Sequence, residues 1–182
     1  MEKFNFNLFP ELSTERLILR QPTPRDSKAI YLLRTNKKIN ELISRKMPQS
    51  ISETTKFIAE LNKRFKDKKN IFWVIVSKEH NQVIGTIGYQ NFKNNFSYAE
   101  IGYELHPDNH KKGYMDESCK AVLNFGLYLM NLETIEAFTH KDNEASKALL
   151  KKHQFVFQVE RREDGFENNR IFKLKKQTAK QC

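Results

Sequence analysis

The sequence predicts a mixed α/β (α+β) fold in one domain, and three observations predict it. The chain has 182 residues, enough for one sizeable core and too few for two ordinary domains. Strand-type and helix-type apolar periodicities succeed one another in the order β-α-α-β-β-β-α-β-α-β-β. No repeat, low-complexity tract or linker interrupts that order. A single domain over residues 1–182 is therefore expected, with loosely ordered ends at 1–12 and 176–182.

Each element follows from its own pattern. Arg16 to Arg20 reads as a short strand, ended by Gln21-Pro22-Thr23-Pro24. Asp26 or Ser27 can cap a helix carrying Ile30, Leu33 and Ile39. After the break at Met47-Pro48, Ser52 to Thr55 opens a second helix with Phe57, Ile58, Leu61 and Phe65 at helical spacing. The β-branched and aromatic run Ile71 to Val76 is a buried strand. His80-Asn81 turns the chain into a strand from Gln82 to Tyr89, with Gly85 and Gly88 as candidate bulges. Ser97 to His106 alternates: Ala99, Ile101, Tyr103 and Leu105 face one side, Glu100, Gly102, Glu104 and His106 the other. Tyr114 to Leu129 is an amphipathic helix and Glu133 to Thr139 a further strand. Asp142 or Asn143 caps a short helix reaching about His153. Phe155–Arg161 and Arg170–Leu174 form a terminal antiparallel pair around Asp164-Gly165. The central sheet should be mostly antiparallel and flanked by helices.

Composition narrows the function. Fourteen Phe and six Tyr supply burial that an apolar fraction of 38% would otherwise lack. The net charge of +10 favours anionic partners without choosing among them. Cys119 lies in an apolar helical stripe and Cys182 at the far end, so neither a disulfide framework nor a metal site is expected. His80, His140 and His153 lack metal-ligand spacing. No stretch approaches the ~20 apolar residues of a membrane span, and a cytoplasmic setting is expected. Direct nucleic-acid binding is not expected, because no Lys/Arg-Gly-aromatic run marks a strand.

The chemistry concentrates between Leu105 and Ser118. A strand ends, a basic turn with one glycine follows, and a helix begins. The first N–H groups of a helix lack intrahelical partners and carry partial positive charge, which suits phosphate. His110, Lys111 and Lys112 add charge and donors, and Gly113 lets the backbone approach closely. By itself this turn is equally a plausible surface loop.

The run Ala99 to Asp108, followed by Lys112-Gly113-Tyr114-Met115 and Glu117, resembles the acyl-CoA signature of GNAT N-acetyltransferases of the RimJ/RimL type. Thr14 to Arg20 resembles the opening strand of that branch, and Asp142 to Phe155 its asparagine-led helix. His110 and Met115 depart from the family's loop pattern, Gln154 stands where a glycine is usual, and Leu150 stands where many members carry a tyrosine acid. The resemblance implies a GNAT-like domain that transfers the acetyl group of acetyl-CoA, as cosubstrate, to a primary amine, either a protein N-terminus or a small amine. It implies a cofactor site of Leu105, His106, His110, Lys111, Lys112, Gly113, Tyr114, Met115, Asn143 and Ser146. Glu100 is the first choice as general base and Glu104 the second; Ser146 is the candidate proton donor to the CoA sulfur. The acceptor should meet residues 27–66 and the final strand pair, near Arg161, Arg162 and Glu163. Two alternatives stay open: a catalytically weak or inactive CoA-binding, ribosome-interacting basic module, and a monomer or a homodimer.

Overall fold

The computed structural model describes residues 4–43 and 45–177. It contains strands β1 (Leu12–Ser13), β2 (Leu17–Arg20), β3 (Asn70–Ser77), β4 (Gln82–Lys93), β5 (Tyr98–Leu105), β6 (Thr134–His140), β7 (Val156–Phe157) and β8 (Asn169–Lys175). Five α-helices accompany them: α1 (Ser27–Thr35), α2 (Lys37–Asn40), α3 (Ile51–Lys66), α4 (Tyr114–Asn124) and α5 (Glu144–Lys152). The strands form one sheet in the order β1-β2-β3-β4-β5-β6-β8-β7. Every neighbouring pair is antiparallel except β5 and β6.

The two faces are covered differently. Ile30 of α1 and Ile58 of α3 bury against Val74 and Val76 on one face. On the other, Cys119, Val122 and Leu123 of α4 and Leu150 of α5 pack onto Trp73, Ile87, Tyr89 and Ile135. Burying such aliphatic and aromatic side chains contributes roughly 1.5–3 kcal/mol each.

Several expectations are corrected by packing. Within the stretch expected to be loose at 1–12, Phe6 is buried and Phe4 and Phe9 pack against the core, while Leu8 between them is exposed. Phe4 meets Phe125 edge-on at 5.1 Å, and Phe6 and Phe9 lie 5.6 and 4.9 Å from Phe65. These rings carry too much apolar area to be left in water. Residues 1–3 and 178–182 lie outside the described residues. The first expected helix is two, because Asn36 turns extended and its side chain caps Ile39 N–H at 3.3 Å. The helix after Tyr114 ends as α at Asn124 and widens into a π-helical turn over Phe125–Leu129, closed by Met130 N–H to Phe125 O at 3.0 Å. Neither glycine of β4 is itself the bulge. The register slips at Ile84, where Gly85 faces Ile75 and Val83 faces Val76. The strand expected at Phe155–Arg161 pairs only over Val156–Phe157, because the chain then turns, with Arg161 N–H bonded to Gln158 O at 3.2 Å.

The feature that positions the site is a gap. β5 and β6 share register only from Tyr98 opposite Thr134 to Glu100 opposite Glu136. β5 then continues to Leu105 along β4, and β6 to His140 along β8, without pairing to each other.

Candidate active site

An unpaired stretch of strand leaves hydrogen-bonding groups to satisfy. His106 N–H bonds to Ile84 O at 2.8 Å, on the β4 side, and His106 O accepts from Asn109 N–H at 2.9 Å. By the alternation of an antiparallel ladder, Glu104 and Gly102 bond toward β4, while Tyr103 and Leu105 turn theirs toward the gap. Leu105 O accepts from His110 Nε2 at 2.9 Å, so that imidazole carries its hydrogen on Nε2. The groups left for an extended, amide-bearing ligand are those of Tyr103 and the Leu105 N–H. Of the two residues expected to meet the pantetheine arm, Leu105 faces the gap and His106 does not.

The turn beyond β5 is shaped for an anion. Lys111 has φ 60° and Gly113 φ 79°. At Gly113 a side chain would be strained by the backbone alone, and its Cβ would lie 3.3 Å from Arg16 Nη2. Gly113 caps α4, and the first intrahelical bond is Glu117 N–H to Gly113 O at 3.0 Å. The N–H groups of Tyr114, Met115 and Asp116 therefore point out of the helix start, beside the exposed Lys111 and Lys112. Met115 and Tyr114 pack against the core, so the methionine does not fill the turn. His110 braces Leu105 rather than extending outward.

Arg16, not singled out from the sequence as a site residue, holds the turn from behind. Its Nη1 donates to Lys112 O at 2.9 Å, its Nε to Glu117 at 2.7 Å, and its guanidinium covers the Tyr114 ring at 4.7 Å. Glu117 also accepts from Thr14 Oγ1 at 2.6 Å and Arg16 N–H at 2.8 Å. Although desolvation pushes the other way, these hydrogen bonds hold the Glu117 carboxyl below its ordinary value. Asp116 pairs with Lys152 at 2.9 Å. Both acids of the first turn are thus matched by cations that leave the outward N–H groups open.

The gap opens into a cavity of 490 Å³. Alternation sends Glu104 and Tyr103 to opposite faces of the sheet. Because the strands have parted, both line this one cavity, Glu104 with Arg45 and Thr86, Tyr103 with Asn143 and Ser146. Glu104 is 8% exposed, bonded to Arg45 Nη1 at 2.6 Å and to Thr86 Oγ1 at 3.3 Å. Glu100 does not line the cavity. It accepts from Asn91 Nδ2 at 2.7 Å near the closed end of the gap. There Glu136 binds Arg161 and Tyr98, which keeps its carboxyl below the ordinary range against the pull of burial.

On the opposite wall, Asn143 caps α5 by accepting from Ser146 N–H at 3.0 Å. Ser146 is 9% exposed, and its Oγ lies 2.9 Å from the Tyr103 hydroxyl. Burial raises the Tyr103 phenol well above its ordinary value, so it stays protonated and able to donate. Leu150 is buried in the core. Tyr103 is the hydroxyl of this wall, and alternation alone had placed it among apolar residues. Cys119 is a buried thiol whose pKa burial raises, which suits a filler and not a nucleophile.

The acceptor-side expectations divide. Arg34, Phe57, Leu61 and Arg64 of α1 and α3 line the cavity, as does Glu163. Arg161 is engaged by Glu136, and Arg162 is tied to backbone carbonyls at Val159 and Arg161.

A helix start with outward N–H groups thus leads into a gap with unpaired strand groups, a carboxylate on one wall and hydroxyls on the other. Residues 16–156 match the acetyltransferase (GNAT) domain family. An uncharacterized N-acetyltransferase of Bacillus subtilis (strain 168), YoaA, is 34% identical over 81% of this chain and 84% of its own. Among solved structures, a putative ribosomal-protein-serine acetyltransferase from Vibrio cholerae superposes with TM-score 0.78 at 19% identity, over 91% of this chain and 97% of that one. RimL, a ribosomal L7/L12 alpha-N-protein acetyltransferase solved with coenzyme A, gives TM-score 0.80 at 16% identity, over 91% and 98%. The chain belongs to the GNAT acetyltransferase family and is an acetyl-CoA-dependent N-acetyltransferase. Among the described residues, no helix is long and apolar enough to cross a membrane.

Proposed function

We propose that this enzyme acetylates a primary amine, a protein N-terminal amine or a small amine, and that Glu104 takes the proton the amine must lose. The observation that carries this is the meeting of Glu104 with the Tyr103–Ser146 pair across one gap in the sheet.

Acetyl-CoA, held by Lys111 to Asp116 and along Tyr103 and Leu105, supplies the activated thioester carbonyl. The chain's own residues do the rest. An α-amine with pKa near ~8 is mostly protonated at pH 7 and cannot attack until it is neutral. Glu104 Oε1 or Oε2 accepts that proton. The unpaired N–H groups of β5 are donors for a carbonyl oxygen that gains charge. A leaving thiolate has an ordinary pKa near ~8.5 and needs one good hydrogen bond. Ser146 Oγ–H provides it while the Tyr103 hydroxyl donates to Ser146 Oγ. Glu104 is preferred to Glu100 because it lines the cavity, whereas Glu100 is bound to Asn91 outside it. The buried free thiol of Cys119 is in keeping with a cytoplasmic setting.

The test is thiol release from acetyl-CoA with a panel of N-terminal peptides and small amines. Turnover on a subset of primary amines is expected. Saturable acetyl-CoA binding with no turnover on any acceptor would replace this reading with that of a CoA-binding module.

A further inference from the structure

The acceptor wall of the cavity is more cationic than its one catalytic carboxylate explains. Arg34, Arg45 and Arg64 line it on the α1–α3 side against two carboxylates, Glu104 and Glu163, and Glu163 already accepts from Asn169 Nδ2 at 2.6 Å. Arg45 donates through Nε to Asn40 Oδ1 at 2.8 Å and through Nη1 to Glu104 at 2.6 Å. Its Nη2 is buried and has no hydrogen-bond partner among the described residues. Among the described residues no carboxylate lies within ion-pair distance of Arg34; its guanidinium lies 4.3 Å above the Phe57 ring. Burial first, and then the nearby Arg45, lower the Arg34 pKa, while Glu104 pulls it the other way. A buried donor with nothing to bond is costly, and so is a guanidinium partly withdrawn from water in a cavity that holds two others. A planar anion that accepts from both relieves each at once, because a carboxylate matches the guanidinium fork.

We propose that the acceptor carries a carboxylate close to its reactive amine, and that Arg34, Arg45 and Arg64 bind it. This rests on the reading of the gap as the acceptor site. It also accounts for the pairing of the proposed base with an arginine. An acceptor carboxylate on the open Nη2 shares Arg45 with Glu104 on Nη1, which weakens the hold of that arginine on Glu104 and favours transfer of the ammonium proton to it. The carboxylate can be the α-carboxylate of a free amino acid or the side chain of an acidic residue next to a peptide N-terminus.

Matched acceptors separate these sources and test the site. One arm compares peptide amides with aspartate or asparagine in second place; the other compares a free amino acid with its amide. The carboxylate member of at least one arm should have a kcat/KM about tenfold higher, the size expected for a charge-assisted hydrogen bond. That ratio should fall toward one in Arg34→Gln and in Arg64→Gln, two variants on different helices, so that misfolding of one leaves the other informative. A ratio near one in the wild type for both arms overturns the proposal, as does a ratio unchanged in both variants. Calorimetric binding of the same acceptors to the CoA-saturated protein keeps the two readings apart. Carboxylate-selective binding without turnover supports the site and sinks acetyl transfer to that acceptor class. Turnover without selectivity does the reverse, and neither binding nor turnover overturns both.

Discussion

The two sides of the gap differ in how far along the chain their residues lie. On the cofactor side, Tyr103 to Met115 is one continuous strand, turn and helix start, and Asn143 to Ser146 is one helix cap. On the acceptor side, Arg34, Arg45, Arg64 and Glu163 come from four separate segments. The first side is built by local backbone geometry: a left-handed glycine, outward N–H groups, a strand with one free edge. The second is built by tertiary packing, which brings unrelated side chains to one face. Evolution can change the second residue by residue without disturbing the first. That is the physical reason one fold can keep its acyl donor and vary its acceptor.

The comparison breaks most visibly at Glu104, the acceptor-side group nearest to the cofactor side. Glu104→Gln should lower kcat about a hundredfold or more at pH 7, with the acetyl-CoA KM little changed. The gap to wild type should narrow as pH rises past ~8, because the amine then loses its proton without help. Glu100→Gln should stay within about twofold of wild type, since its partner is Asn91 outside the cavity. Removing Glu104 also strands Arg45, and breaking a buried pair costs about 3–5 kcal/mol of stability, so a thermal melt must show that the variant is folded at the assay temperature. A pH-independent deficit would make Glu104 a positioning group for Arg45.

A smaller effect is expected on the cofactor side. Gly113→Val places a β-branched residue at φ 79° with its Cβ toward Arg16 Nη2, a strain of about 1–3 kcal/mol. The turn should relax and misdirect one or two N–H groups, weakening CoA binding about tenfold. Calorimetry with CoA measures this, and the acceptor selectivity ratio should not move. An unchanged CoA affinity would remove the phosphate turn from the site.

Legibility from the sequence followed the same division. The succession of strands and helices and the glycine turn before α4 could be read because each rests on local rules: alternation in Ser97–His106, the glycine at 113, the asparagine cap at 143. The gap itself could not. Nothing in Tyr98–Leu105 or Thr134–His140 says that pairing stops at Glu100, because that depends on how two distant segments diverge. Without the gap, Tyr103 belongs to the apolar side, and Glu100 and Glu104 are equivalent residues of the polar face. Arg45 lies in no helix or strand, so periodicity gave it no role. Arg16 lies in the Thr14–Arg20 stretch that resembles the family's opening strand, yet its contacts with Lys112 and Glu117 span 96 and 101 residues. The loose ends assigned to 1–12 failed for a related reason. Three phenylalanines outside any periodic element carry no positional signal, but they have a core to join.

The smallest effect should come from Tyr103→Phe, which sharpens the boundary between the two sides. The phenol is half-buried and desolvation raises its pKa, so it remains protonated across the working range and cannot account for a titration in the rate profile. Its contribution is one hydrogen bond to Ser146, worth about 0.5–1.5 kcal/mol, or a fall in kcat of roughly two- to tenfold. The rate should fall by a constant factor at every pH, in contrast to Glu104→Gln. Ser146→Ala should fall further, and the double variant should match Ser146→Ala, because Tyr103 acts only through that hydroxyl. Additive losses would mean that each hydroxyl reaches the sulfur independently. A shifted pH profile in Tyr103→Phe would mean that the phenol itself titrates in catalysis.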